Sequence, residues 1–325
     1  MFFKFALAAT LMLAGARPAL AQRFPFERTF DVTGPPTLDK LDVSTERGRI
    51  EIVAGSPGRI VVTGTVTVRT GFDVPANAIE LAQKLATAPP VGREGDTVKL
   101  RPPSDAATRR AVTMSYQVRV PPATAVTSVS DSGATTVRGV SGAVDVKTQS
   151  AAIDLASLGG AVTVSTGSGA VKIDGAAGAL TVRTSSSSIT VGGLGSSLHA
   201  RTESGQVDAA FTGDGDADVE TSSSAIRVRG LRGGITAKTQ SGHVTIDGTP
   251  VRPWTVTTGS SAIDVTVPKR TAFAIDASSG SGSVTADAGH FDGSMMKGEA
   301  KGLVNGGGPP VILHSRSGSI HVASR

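Results

Sequence analysis

Hydrophobic and polar residues alternate with a period of two along much of the chain, and this alternation recurs in units of 18 or 19 residues. Seven successive units can be aligned from Ala143 onward, and the first two read AVDVKTQSAAIDLASLGG and AVTVSTGSGAVKIDGAAG. A period of two is typical of β-strands, and a fixed repeat of this length is typical of repeat architectures. The pattern predicts that each unit, here called a rung, forms two short strands joined by a Ser-centred turn and closed by a Gly-rich turn.

A single rung is too small to bury its apolar face, so the rungs are expected to stack. Parallel stacking gives every inner strand two hydrogen-bonded neighbours. We therefore predict an all-β chain whose bulk is a parallel β-solenoid of about 18-residue two-strand rungs, right-handed by the general rule for parallel crossovers. The alternation places one column of valines and one of threonines in its core, namely Val146, Val164, Val182, Val219 and Val256 beside Thr148, Thr166, Thr184, Thr221 and Thr258.

The Ser-centred turn has two alternating forms. One form is Ser-Gly, at 132–133, 168–169, 204–205, 241–242 and 281–282, and the other is Ser followed by Ala or Ser, at 150–151, 186–187, 223–224 and 260–261. Glycine adopts a positive φ without steric cost, whereas Ala and Ser do not. The alternation therefore predicts two turn conformations and a structural repeat of 36 residues.

Residues 1–21 have the three parts of a secretory signal peptide. Lys4 supplies the positive charge, residues 5–13 form a short apolar stretch, and Ala19-Leu20-Ala21 is a small-residue cleavage site before Gln22. The apolar stretch is shorter than the ~20 residues that a membrane-spanning helix needs, and no later segment is apolar enough to span a bilayer. We expect cleavage at Ala21/Gln22, export to the periplasm, the cell surface or the medium, and a mature protein without a transmembrane segment.

The rest of the chain divides into three parts. Residues 22–122 are predicted to form N-terminal strands and a cap, with a helix near 77–88 that places Ile79, Ala82 and Leu85 on one face. Residues 123–288 form the regular repeats. Residues 289–325 are an irregular Gly-rich excursion followed by a C-terminal capping rung. Caps are expected because a solenoid must cover the exposed strand edges at its two ends.

Composition agrees with thin, closely packed layers. The chain has 40 glycines and only 4% aromatic residues, so its core cannot depend on large rings. It has no cysteine, which excludes disulfide bonds. Without Lys4 and Arg17 of the signal segment, 30 basic residues face 27 acidic ones, a net charge of +3. This small excess is spread along the chain, and the densest basic pair, Arg109-Arg110, is expected in a solvated loop, so a nucleic-acid partner is not predicted.

The order of motifs carries a family resemblance. A strand ending in Val118-Arg119-Val120-Pro121 precedes the iterated T-x-S-G-x-[IV]-x-[IV] rungs, and a late Gly307-Gly308-Pro309 segment precedes the final S-G-x-I at Ser317 to Ile320. This order resembles the bacterial exported β-strand-repeat family usually labelled "putative adhesin", a family of unknown function, over about residues 37–324. The resemblance implies an adhesin-like protein and no catalytic residues. Members of this family also occur beside envelope-stress regulators, which implies a second possible role.

No combination of residues in the sequence predicts catalysis. Nucleophilic catalysis needs a Ser near a His and a carboxylate, but the serines recur at equivalent turn positions, which indicates a structural role. The five histidines fall at unrelated rung positions, namely His199, His243, His290, His314 and His321. Carboxylates recur at outward places on the second strands, at Asp154, Asp174, Asp208, Asp247 and Asp264, interspersed with cations such as Lys172 and Arg227. We predict no catalytic residue, and a polysaccharide-active β-helix enzyme with paired carboxylates is the third functional hypothesis.

One acidic segment could bind a cation. Asp214, Asp216 and Asp218, with Glu220 after them, place carboxylates at alternate positions, and such oxygen ligands can hold Ca²⁺. An EF-hand loop would have Gly at its sixth position and Glu at its twelfth, where Val219 and Ala225 stand. The sequence therefore favours a solvated acidic turn, and no metal or cofactor is predicted.

The outward positions of the rungs are the best candidates for binding. By strand parity, Asp145, Lys147, Arg183, Arg201 and Arg227 point away from the core. The leading hypothesis is a non-enzymatic exported scaffold, adhesin-like, that binds a protein or glycan ligand through the summed surface of many rungs. The alternative is a periplasmic protein of envelope-stress sensing or envelope maintenance.

Overall fold

The computed structural model describes residues 22–33 and 38–325, so the predicted signal peptide lies outside the described residues. Within these ranges the chain forms 27 strands and two short helices, and all the strands belong to one hydrogen-bonded sheet. The prediction of an all-β fold is confirmed. No helix of these ranges combines the length and the apolar character that crossing a bilayer requires.

The N-terminal part contains seven strands and both helices. Their bounds are β1 (Arg23–Asp31), β2 (Lys40–Thr45), β3 (Ile50–Ala54), β4 (Arg59–Val68), α1 (Ala78–Thr87), β5 (Val91–Glu94), β6 (Thr97–Leu100), α2 (Ala106–Ala111) and β7 (Val112–Val120). Strands β2 and β3 form a rung, and β6 and β7 stack on it in parallel. Antiparallel strands finish this end of the stack, with β5 on β6, β4 on β7 and β1 on β4.

Helix α1 lies where the sequence predicts a helix, but it buries a different face. Ala78 and Ala82 are buried and Leu81 and Leu85 are partly buried against the core, whereas Ile79 is 44% exposed. The buried positions follow an i, i+3, i+4, i+7 pattern that starts one residue before Ile79. The prediction that Ile79, Ala82 and Leu85 share one face therefore holds for Ala82 and Leu85, whereas Ile79 lies on the exposed side of the helix.

The sequence predicts a solvated loop at Arg109-Arg110, but the structure places both residues in helix α2. The Asp105 carboxylate caps this helix by accepting a hydrogen bond from the Thr108 N–H at 2.7 Å. Arg109 and Arg110 lie in its last turn, where positive charge favours a helix. Arg109 also pairs with Glu46 at 2.8 Å, so this part of the chain packs against the neighbouring turn.

The regular array has two faces. The first face contains β8 (Ala125–Ser130), and the second begins with β9 (Thr135–Arg138). The strands then alternate between the faces as β10 (Val144–Thr148), β11 (Ile153–Leu158), β12 (Val162–Thr166), β13 (Val171–Ala176), β14 (Leu180–Thr184), β15 (Ile189–Leu194), β16 (Leu198–Thr202), β17 (Val207–Phe211) and β18 (Ala217–Thr221). Strands β19 (Ile226–Thr239) and β20 (Val244–Thr258) each continue from the second face into the first, and β21 (Ile263–Val267) follows on the second face.

The pairing register confirms the predicted core columns. On the first face Val146 lies opposite Val164, and Val164 lies opposite Val182, with all strands parallel. All five predicted valines are at most 1% exposed, and the five threonines are at most 8% exposed. Buried hydroxyl groups need hydrogen-bond partners, and Thr148 Oγ1 lies 3.0 Å from both Thr166 Oγ1 and the carbonyl oxygen of Ala151.

The Ser-Gly turns need glycine for a reason other than the predicted one. None of the glycines at 133, 169, 205 and 242 has a positive φ. A Cβ on Gly169, Gly205 or Gly242 would instead lie 1.7 Å from a backbone carbonyl oxygen of the preceding rung. Close stacking of the backbones therefore excludes a side chain at these turns. The positive φ from which two turn conformations were predicted is not found at these four glycines.

The C-terminal part contains β22 (Phe273–Ser279), β23 (Val284–Asp287), β24 (Phe291–Met296), β25 (Glu299–Val304), β26 (Pro310–Ser315) and β27 (Ile320–Ser324). Strand β26 pairs with β20 on one side and β22 on the other, and β27 likewise lies between β21 and β23. The last rung along the chain is therefore inserted into the stack and does not close it, contrary to the prediction. The predicted irregular excursion is a regular antiparallel hairpin, β24–β25, which pairs with β22 and covers the end of the first face.

Candidate functional site

The outward side chains of the first face form a surface that runs along the stack. Because the strands are parallel and in register, one outward position of six consecutive strands forms a single line. It contains Lys147, Ser165, Arg183, Arg201, Glu220 and Lys238. We call these six residues the cationic column, since four cations accompany one carboxylate.

Of the four cations in the cationic column, two form ion pairs and the other two form none with the residues that the structure describes. Lys147 Nζ lies 3.1 Å from Asp145 Oδ2, and Arg201 Nε lies 3.4 Å from Glu220 Oε2. Arg183 and Lys238 are exposed, and neither forms an ion pair with any residue of the described ranges. Their charges are therefore available to an anionic ligand.

An open groove of about 380 Å³ follows the cationic column across β12, β14, β16 and β18. Its charged side chains are those of Arg183, Arg201, Glu203 and Glu220, and its hydroxyl groups include those of Ser165, Ser185 and Ser222. None of the exposed large apolar side chains lines it. The groove thus offers charges and hydrogen-bonding groups.

A second open groove, of about 480 Å³, lies at the beginning of the same strands. There His199 Nδ1 lies 2.8 Å from Asp218 Oδ2, and Arg252 Nε lies 3.0 Å from Asp216 Oδ1. Both carboxylates of this groove contact a basic side chain, whereas Arg183 of the groove along the cationic column forms no ion pair with a described residue.

The carboxylates considered for calcium do not converge. Asp214 pairs with Arg232 at 3.2 Å, whereas Asp216 and Asp218 pair with the two bases of the second groove. Within residues 22–33 and 38–325, no group of three or more His, Asp or Glu side chains is arranged to hold a metal ion. Each of the three carboxylates therefore has its own side-chain partner, and the three do not face a common centre.

Four of the five predicted outward residues come together. Asp145, Lys147, Arg183 and Arg201 are on the first face, while Arg227 is on the second face and lies 3.8 Å from Asp208. Sequence parity alone could identify these residues as outward. It could not show which of them are neutralised by a neighbour, since that depends on side-chain conformations.

Four of the five second-face carboxylates have separate basic partners, and Asp174 has none among the described residues. Asp208 accepts from Arg229 at 2.7 Å, Asp154 accepts from Arg138 at 2.9 Å, and Asp264 Oδ2 lies 2.7 Å from His243 Nε2. Asp247 pairs with Arg325. This arrangement is typical of surface ion pairs, whereas glycoside hydrolysis uses two carboxyl groups that face each other across a substrate.

The structure brings together two hydroxyl–imidazole pairs that the sequence analysis missed. Ser278 Oγ lies 2.7 Å from His314 Nδ1, and Thr285 Oγ1 lies 2.7 Å from His321 Nδ1. Both contacts exist because the last rung is inserted beside β22 and β23. In the part of the chain that the structure describes, no carboxylate is hydrogen-bonded to either of these imidazoles, so the third member of a catalytic triad is missing.

The resolved pKa shifts lie in the N-terminal part. The hydrogen bond from Arg101 holds the pKa of the Asp42 carboxyl below its usual 3.8, and the hydrogen bond from Lys40 has the same effect on the pKa of Asp96. Burial raises the pKa of Tyr116, whose ring packs edge-on against Phe26 at a centroid distance of 6.2 Å. These contacts stabilise the N-terminal end of the stack.

Comparison with known proteins identifies a family. The family model described as Toastrack DUF4097 matches residues 38–323. A solved structure described as "a putative cell adhesion protein from Clostridium sporogenes ATCC 15579" aligns over 93% of this chain and 100% of its own, with 11% sequence identity and a TM-score of 0.22. None of the curated proteins matches the sequence significantly.

Proposed function

The chain belongs to the Toastrack DUF4097 family, and on this basis we propose that it is a non-enzymatic, exported β-solenoid scaffold. Its rungs of about 18 residues would present an adhesin-like surface that binds a ligand at the cell envelope or outside the cell. The family model spans most of the chain, so the proposal concerns the stack as a whole.

The observation that carries the proposal is the cationic column. Its residues recur at one position of successive strands, and Arg183 and Lys238 keep uncompensated charge at the surface. A binding surface can be distributed in this way, whereas a catalytic group must be singular and oriented by its neighbours. The A-x-A site before Gln22 supports export.

A periplasmic role in envelope-stress sensing or envelope maintenance is the second candidate, and the C-terminal hairpin favours it. Strand β24 is at the end of the stack, and the side chains of Met295 and Met296 are 46% and 59% exposed. Exposed apolar residues on a strand at the edge of a sheet are typical of contacts with another protein. A sensor would use this end of the stack, and a scaffold would use the first face.

Fractionation of cells that produce the tagged full chain tests the proposal. We expect a chain that begins at Gln22 in the envelope or extracellular fraction, and chemical crosslinking there should recover its ligand. Incubation of the purified protein with polysaccharides and peptidoglycan should leave their chain lengths unchanged. An unprocessed chain in the cytoplasm would contradict export, and shortened polymers would support the enzyme hypothesis.

A further inference from the structure

We infer that the cationic column binds a linear polysaccharide that carries widely spaced carboxylate groups. Arg183, which lines the groove, and Lys238, which lies one strand beyond the groove on β19, are its two anchoring cations. This inference rests on the proposed binding function and specifies the class of ligand. Three features of the first face support this inference, namely the spacing of the charges, the polarity of the groove and the pairing of the strands beneath it.

The spacing of the free charges favours a sparsely charged ligand. Arg183 is on β14 and Lys238 is on β19, with β16 and β18 between them. Three strand spacings correspond to about 14 Å. Between the two cations, Glu220 lies 3.4 Å from Arg201 and opposite Lys238 in the strand register, and Glu203 adds a second carboxylate to the groove. A polymer with an anion on every residue would meet these carboxylates and be repelled, because like charges in contact disfavour binding.

The polarity of the groove favours a sugar over a protein. Protein partners are held mainly by aromatic and apolar anchors, and no exposed large apolar side chain lines this groove. The groove instead offers the hydroxyl groups of serines beside guanidinium groups, which can donate hydrogen bonds to hydroxyl and carboxylate oxygens.

The strands beneath the groove cannot accept a peptide as an additional strand. Strands β12, β14, β16 and β18 each pair with a parallel neighbour on both sides, so their backbone groups are already used. Recognition by β-strand addition needs a free edge. A ligand on this face can therefore bind only through side chains, and a groove that crosses the strands suits a linear polymer that lies along the stack.

The test is titration of the purified protein with polysaccharides in a calorimeter. Hyaluronan, with one carboxylate for every two sugars, should bind more tightly than polygalacturonate, with one for every sugar, and dextran, with none, should not bind. Arg183→Gln and Lys238→Gln should each weaken binding of hyaluronan about three- to tenfold. This loss lies between the contribution to affinity of an exposed ion pair and that of a charge-assisted hydrogen bond. Added salt should weaken binding by the unmodified protein.

Lys172→Gln is the matched control, because Lys172 is an exposed cation of the second face with no ion pair among the described residues. It should leave the affinity unchanged, and all three variants should keep the melting temperature of the parent. The inference would be overturned if dextran or poly-glutamate bound as tightly as hyaluronan. It would also be overturned if all three substitutions changed the affinity for hyaluronan by the same factor. Failure of hyaluronan to bind would also overturn the inference. The proposed scaffold function would then still be tested independently by the fractionation experiment. Shortening of hyaluronan, seen by size-exclusion chromatography, would instead refute that function.

Discussion

The hydroxyl group of Ser261 donates a hydrogen bond to the backbone carbonyl of Ser241 in the preceding rung, with 2.7 Å between the two oxygen atoms. Ser224 makes the same bond to Ser204 at 2.6 Å, and Ser187 makes it to Ser168. The acceptor always belongs to a Ser-Gly turn and the donor is the second serine of a Ser-Ser turn. The alternation in the sequence therefore corresponds to an alternation of contacts between rungs. In a Ser-Gly turn the glycine lets the backbone approach the preceding rung closely, and in the next rung a serine hydroxyl group donates a hydrogen bond to the backbone of that Ser-Gly turn.

Gly205→Ala should destabilise the protein strongly. A Cβ at this position would lie 1.7 Å from the carbonyl oxygen of Ser187, so two rungs would have to separate, with an expected loss of about 1–3 kcal/mol or more of unfolding free energy. Denaturant unfolding measures it. Gly58→Ala is the control, since a Cβ there has no atom within 4 Å. Similar losses in both variants would mean that close approach is not the reason for glycine.

Ser157→Gly should stabilise the protein. Ser157 has a φ of 55°, and the equivalent residues of other rungs are Gly139, Gly175 and Gly193, with φ values of 73°, 75° and 62°. A left-handed conformation costs a non-glycine residue about 1–2 kcal/mol, and the greater backbone entropy of glycine in the unfolded chain offsets roughly half of that. We expect a gain of up to about 1 kcal/mol for Ser157→Gly and a loss for Gly175→Ser. A lower melting temperature for Ser157→Gly would contradict this account.

Val182→Asp should prevent folding. The Val182 side chain is fully buried between Val164 and Ala200, and an unpaired carboxylate there would have no hydrogen-bond partner or counter-ion. We expect aggregation or loss of the cooperative thermal transition, measured by circular dichroism. Thr181→Asp changes the neighbouring outward residue of the same strand and should leave the transition nearly unchanged. If both variants melted like the parent, the column would not be the core.

The contact between Asp42 and Arg101 should make stability depend on pH. Arg101 Nη1 lies 2.8 Å from Asp42 Oδ1, and this hydrogen bond lowers the pKa of Asp42 below 3.8 in the folded protein. A carboxyl group with a lowered pKa stabilises the fold above about pH 3.8, and this contribution is lost as the pH falls through the folded pKa. Asp42→Asn should therefore lower the melting temperature at pH 7, and the difference should vanish in strong acid. Asp292→Asn, which removes an exposed carboxylate of the C-terminal hairpin, should show no such difference.

The core could be predicted from the sequence because it depends only on the period-two alternation of apolar residues and on the length of the repeat. Val146 and Val164 are 18 positions apart, and parity sends both side chains inward. Two kinds of feature could not be predicted. The partners of Ser278 and Thr285 depend on where the last rung enters the stack, and no local pattern encodes that position. The free charge of Arg183 depends on the side-chain conformations of its neighbours, which the same sequence pattern leaves open.

The inserted position of the last rung predicts how the C-terminal part unfolds. Leu313 is fully buried on β26, between β20 and β22, whereas Ala286 is 7% exposed on β23, the outermost strand of the second face. Leu313→Asp would place a charge between two rungs that both need β26 as their neighbour. Backbone amides of β20 and β22 should then lose protection from hydrogen exchange together. Ala286→Asp should increase exchange only at β23 and the adjoining hairpin, because a terminal strand can fray without opening the stack. If the last rung instead lay at the end of the stack, Leu313→Asp would cause only local fraying of β26. The backbone amides of β20 would then keep their protection from hydrogen exchange.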